Sequence, residues 1–180
     1  MFQSKEFIEK RHGQNSLNRL QYFQQLINEY TTTDNLEAKQ QVLANLANFS
    51  YDPINYDWLW EVNVIDIYLG ALKDQDTTLQ EFAMGGLANI CLEPRHQYYL
   101  LENQDHINDI IYFLEIKENK STINIIINTL TLLLLLVSTD YHSKILSDDL
   151  KQKLIQLQQN TSNITIQNMV KLFLQDYYNI

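Results

Sequence analysis

The stretch QVLANLANFS, Gln41 to Ser50, reads as an apolar helix interrupted by two polar residues three apart, Asn45 and Asn48, and it is closed by Asp52-Pro53. Forty-one residues after Asn48, the stretch FAMGGLANICLEP repeats the Leu-Ala-Asn triplet at Leu87-Ala88-Asn89 and again ends on a proline, Pro94. Proline cannot donate to a helix and disfavours helical geometry in the residue before it, so both helices should stop there. Recurrence at a fixed distance signals a structural repeat, and the period decides the architecture.

Aligning the apolar helices on this triplet adds Leu130-Thr131-Leu132 and Val170-Lys171-Leu172, at successive steps of 41, 43 and 40 residues. That period belongs to armadillo and HEAT repeats rather than to shorter helical repeats. Each period resolves into shorter helices and then a long one. The pattern predicts helices at 17–30 and 36–50, then 56–61, 64–73 and 79–92, then 96–102, 107–116 and 122–137, and finally 141–146, 150–158 and 164–178. Three helices per period, the first short, is armadillo organisation. The expected fold is therefore all-α, a right-handed superhelical solenoid of about four armadillo-like three-helix repeats, with a polar tail over 1–15 and the repeat domain over 16–180. Asp34 with Glu37, and Thr78 with Glu81, have capping-box form ahead of two long helices.

Composition agrees with this reading and narrows it. Only 4 glycines and 2 prolines in 180 residues disfavour the many tight turns of an all-β fold. The run from Ile123 to Val137 would span only about 22 Å as a helix, short of the roughly 30 Å of a bilayer core. With Asn124, Asn128, Thr129 and Thr131 inside it, it is a core helix, so no membrane association is expected. The net charge of -9 is unevenly spread: between Gln40 and Ile116 twelve acids face two bases. Such a segment repels phosphate backbones and attracts basic protein segments. Lys144, Lys151, Lys153 and Lys171 offer at most a modest basic edge.

Catalytic chemistry is hard to find. His12, His96, His106 and His142 are isolated, and the chain contains no metal-ligand spacing, phosphate loop or nucleophile elbow. Cys91 lies in an apolar run without a neighbour that would lower its pKa. The expectation is a non-enzyme with no cofactor and no small-molecule ligand. Candidate binding residues come instead from the repeat. In such a solenoid the third helices line the concave face, so Asn48 and Asn89 would form a two-rung ladder able to bond a peptide backbone in both senses. Their alternative role is internal, bonding the backbone of a neighbouring repeat. Asn45 has Gly86 at its equivalent position and fits a local bond. Gly85 and Gly86 each cost a helix about 1 kcal/mol and imply either a close-packed neighbour or a flat place for a partner. Tyr51, Tyr56, Trp58 and Trp60 add an aromatic cluster of the type that dominates interfaces; Trp58 and Trp60 cannot share one helix face, so one should be core and the other exposed. Asp52 and Asp57 supply charge beside them.

The segments VLANLANFSYDPINYDWL, VIDIYLGALKDQDTTLQEFAMGGLANIC and IQNMVKLFLQDYY resemble the armadillo repeat-containing protein 7 family. That resemblance implies a nuclear component of the minor spliceosome that pairs with RNA-binding motif protein 48, a protein carrying an RNA recognition motif, alongside other minor spliceosome proteins. RNA would then be met only indirectly. The motif residues fall on Asn48, Tyr51, Asp52, Pro53, Tyr56, Glu81, Phe82, Gly85, Gly86 and Asn89. A competing expectation is an adaptor that takes basic peptides on its concave face, as larger armadillo import receptors do. Those pair each ladder Asn with a Trp four residues earlier, where this chain has Ala44 and Gly85.

Overall fold

The computed structural model describes residues 18–138 and 142–180, and the regular elements among them are all helical. The chain divides into two compact units, the first ending at Glu93 and the second running Pro94–Ile180. The tail over 1–15 lies outside the described residues.

The first unit contains α1 (Arg19–Thr32), α2 (Leu36–Phe49), a 3-10 turn (Pro53–Asn55), α3 (Tyr56–Glu61), α4 (Val64–Leu72) and α5 (Thr77–Ile90). Its most extensive packing is between the two long helices α2 and α5, followed by α4 against α5. Two hydrogen bonds set the direction of the long pair. Near their N-termini Gln40 Nε2 donates to Asp76 Oδ1 at 3.1 Å, and near their C-termini Asn89 Nδ2 donates to the Ala47 carbonyl at 3.0 Å. Helices tied start to start and end to end run parallel, as successive third helices of a repeat must. The core between them is formed by Leu43, Leu46, Leu79, Met84 and Leu87, all fully buried.

Helix starts differ from the capping expectation. Asn35, not Asp34, caps α2 by accepting from Ala38 N, and Asp76, not Thr78, caps α5 by accepting from Leu79 N. Asp76 prevails because its carboxylate serves twice, receiving Gln40 as well as its own helix. A full capping box joins Asn18 and Gln21 at α1. Pro53 and Pro94 stand after the helices that end near them, and each opens the next element, where a missing N–H costs nothing.

The second unit contains α6 (Pro94–Glu102), α7 (Gln104–Tyr112), α8 (Ile123–Val137), a 3-10 turn (His142–Lys144), α9 (Asp148–Asn160) and α10 (Ile164–Tyr178). Here α10 packs on both α9 and α8. As expected, α8 is a core helix: Ile125, Ile126, Leu130, Leu132, Leu133 and Leu136 are fully buried. Its threonines return their hydroxyls to the helix, Thr129 to Ile125 O at 2.8 Å and Thr131 to Ile127 O at 2.9 Å, which removes the cost of burying them. Among the described residues no helix is long and apolar enough to cross a membrane.

Two boundaries depart from the periodicity. The helix expected over 107–116 stops at Tyr112, because Phe113 and Leu114 turn back into the core through bonds to Ile110 O and Ile111 O. The helix expected over 141–146 is only a 3-10 turn, and Tyr141 lies outside the described residues. Ser147, just after it, is extended and caps α9 by accepting from Leu150 N.

Gly86 explains how α4 is seated. A Cβ at this position would lie 2.5 to 2.9 Å from the ring of Tyr68, whose hydroxyl is held 2.7 Å from Ser50 Oγ in the core. Gly70 on α4 has nothing within 4 Å of the same construction. The two glycines should therefore respond oppositely to alanine. Gly86→Ala should lose about 1 to 3 kcal/mol through overpacking, whereas Gly70→Ala should gain roughly 0.5 to 1 kcal/mol from helix propensity. Urea unfolding of the two variants checks both signs.

Candidate functional site

The candidate residues converge on the end of the first unit where α2 and α5 terminate. At the end of α2, Ser50 N bonds to Leu46 O, Tyr51 N to Asn48 O at 3.2 Å and Asp52 N to Phe49 O at 3.3 Å. At the end of α5, Cys91 N bonds to Leu87 O, Leu92 N to Asn89 O at 3.5 Å and Glu93 N to Ile90 O at 3.2 Å. The same turn is thus built twice, bond for bond, with every residue 41 positions from its counterpart.

Asn89 joins the two turns. Because Tyr51 N turns to Asn48 O, the Ala47 carbonyl loses the partner that a continuing helix would give it. Asn89 Nδ2 supplies that partner, and the Tyr56 hydroxyl donates in turn to Asn89 O at 3.4 Å. The side-chain donor of Asn89 is thus used inside the fold, the internal role weighed for it above. Asn48 has a different position: it is exposed on α2, while the residue 43 positions after Asn89, Leu132, is apolar and fully buried. Asn45 is half-buried.

The other candidates separate by burial. Tyr51 is 60% exposed and Asp57 is exposed, whereas Tyr56 is 7% exposed and Gly86 lies beneath Tyr68. Tyr56 and Gly86 accordingly act on a partner only through the fold. Gly85 is half-buried. Asp52 accepts from Ile54 N at 3.2 Å and so caps the 3-10 turn. Trp58 and Trp60 are both half-buried, which corrects the expectation of one core and one exposed ring. The reason is angular: Leu59, fully buried, marks the inward direction of α3, and its two neighbours each stand about 100° to either side.

Electrostatics sharpen the location. The Tyr56 phenol is pushed above its usual range by burial first, then by the carboxylates of Glu93 and Asp52, so the acids that close the two turns act on one spot. Arg19 offsets part of this charge; its guanidinium rests 5.3 Å from the Phe49 ring centroid and interacts with Asp52. Residues 18–93 carry eleven acids against three bases, while 94–180 carry nine against seven. The acidic character therefore belongs to the first unit.

Sequence reasoning missed Leu92, which is 52% exposed, although the 41-residue step from Tyr51 points straight to it. Elsewhere, Cys91 is fully buried and its thiol is pushed well up by burial and by Glu93, the opposite of an activated nucleophile. His96 is fully buried and His106 stacks on Tyr99. Among the described residues no three His, Cys, Asp or Glu side chains are grouped to hold a metal ion. Three of the six lysines of the second unit are engaged: Lys153 pairs with Glu115 at 3.0 Å and Asp149 at 3.3 Å, Lys144 donates to Leu101 O, and Lys151 lies over the Tyr178 ring.

Comparison with known proteins places the fold. No family profile matches the chain. Over 69 residues it is 51% identical to Armadillo repeat-containing protein 7 of Mus musculus, a match covering 38% of this chain and 35% of the relative. The chain thus spans about a third of the length of that curated relative. The crystal structure of an engineered protein superposes with a TM-score of 0.68 at 16% identity, over 86% of this chain and 61% of the other. The all-helical architecture of armadillo-like repeats is thereby shown.

Asn89→Leu removes the side-chain donor to the Ala47 carbonyl at the joint of the two turns. It should cost about 1 to 3 kcal/mol and lower the melting temperature by several degrees, whereas Asn48→Leu should leave it nearly unchanged. Thermal unfolding followed by circular dichroism checks the pair.

Proposed function

We propose that this protein is a non-enzymatic interaction scaffold that binds an RNA-recognition-motif protein, RNA-binding motif protein 48, as a nuclear component of the minor spliceosome, supporting removal of the rare class of introns. The observation that carries this reading is the identity with the mouse relative, joined to an architecture whose surface offers binding rather than chemistry. A base-poor first unit, and the engagement of Lys144, Lys151 and Lys153 in the second by a carbonyl, a ring and local acids, support contact with RNA through the partner rather than directly.

The structure changes how the partner-facing charge should be tested. Asp52 is a structural cap, so reversing it would disturb the turn, whereas Asp57 and Glu61 are exposed and can be reversed. Affinity purification of the tagged protein from nuclear extract, read by mass spectrometry, should recover RNA-binding motif protein 48 with minor-class small nuclear ribonucleoproteins. Recovery of nuclear transport receptors in their place would overturn the reading.

A further inference from the structure

In the second unit the chain between α7 and α8 runs beside α9, and together they enclose a groove of about 450 Å³, within the roughly 300 to 1,000 Å³ usual for binding pockets. One side is Leu114 to Glu118; the other is Lys153, Gln156, Leu157, Asn160 and Thr161. A bond between the two sides closes each end. At one end Lys153 Nζ meets Glu115 Oε1 at 3.0 Å, and at the other the Thr161 hydroxyl donates to Glu118 Oε2. Lys153 and Thr161 are eight positions apart, about 12 Å at the helical rise and room for roughly four residues of extended chain. Between the ends lie the buried side chains of Leu114 and Leu157.

Inside the groove a pair of carboxamides is left uncommitted. Gln156 and Asn160 are exposed, and neither side chain makes a hydrogen bond among the described residues. Four positions apart, they stand on one face of α9, separated by about 6 Å along its axis. An extended chain presents an N–H and a C=O on the same edge every two residues, about 6.6 Å. Each carboxamide both donates and accepts, so the pair matches two successive peptide units of that edge. The charges lining the groove balance, Glu115 and Glu118 against Lys117 and Lys153. Three of the four are held, since Glu118 also receives the Ser162 hydroxyl at 3.5 Å. Lys117 has no side-chain partner among the described residues, and one such cation is too few for a phosphate backbone. A balanced groove gains nothing from an acidic or basic run, and its largely polar walls differ from the apolar lining usual around small molecules.

We infer that this groove binds an extended, uncharged protein segment through its backbone. Gln156 and Asn160 bond two successive peptide units on one edge, Lys117 donates to a carbonyl, and an apolar side chain of the segment rests on Leu114 and Leu157. The groove lies wholly within the second unit, and the inference stands whether or not the minor-spliceosome reading does.

Its test uses the full chain and three end-capped, fluorescein-labelled peptides of about eight residues, twice the extended length of the groove. They are valine alternating with threonine, the same sequence with every backbone nitrogen methylated, and lysine alternating with threonine; a short single-stranded RNA is the fourth probe. In isotopically labelled protein followed by NMR, the valine–threonine peptide alone should move the side-chain amide resonances of Gln156 and Asn160, and it should leave those of Gln24 and Gln25 on α1 in place. Fluorescence polarisation should give that peptide an affinity unchanged as salt rises. Gln156→Ala with Asn160→Ala, both at exposed positions, should weaken it by about tenfold or more while circular dichroism stays the same. Amide resonances that the valine–threonine peptide does not move, equal movement by the methylated peptide, the lysine peptide or the RNA, or binding that ignores the alanine pair would each overturn the inference.

Discussion

One contact in the core constrains much of the first unit: the ring of Tyr68 lying on the bare backbone of Gly86, with its hydroxyl on Ser50. It brings α4, α5 and the end of α2 to a single point. Ser50 also bonds the Leu46 carbonyl, so the polar atoms of this fully buried tie are satisfied where an orphan would be expensive. A glycine in the middle of a helix is a local defect, and here it is what permits two neighbouring helices to lie close enough for the long pair to pack.

From that seat the rest of the unit follows by register. Parallel α2 and α5, tied at both ends, place their closing turns side by side. A turn repeated with the same bonds repeats its exposures too, which is why Tyr51 and Leu92 project together. The elements that position this surface are structural, namely Asn89, Asp52 and Tyr56, and the elements that face outward are Tyr51, Leu92, Asp57 and Glu61. Residues that hold the fold and residues that face solvent are thus neighbours in one short segment.

Charge is divided between the units in the same way. The first concentrates acids, and in the second Lys153, Lys144 and Lys151 engage carboxylates, a carbonyl and an aromatic ring. Glu118 shows the same tendency, receiving the hydroxyls of Thr161 and Ser162 from the turn before α10. A protein built this way attracts through one unit and is comparatively neutral in the other.

The sequence by itself determined the helical class, the repeat period and the place of nearly every helix, because apolar periodicity, proline and a recurring triplet are local signals. It also marked the acidic first half and the absence of catalytic spacing. It could not separate the two roles of an asparagine or a glycine, since both roles need the same atoms. Only the tertiary structure decided that Asn89 donates to Ala47, that Gly86 lies under Tyr68, and that both tryptophans flank Leu59. It likewise decided that the caps are Asn35 and Asp76, and that the chain over 142–144 makes a 3-10 turn. Each of these outcomes depends on which group from a distant part of the chain arrives to take a bond or a space, and no local pattern records that arrival.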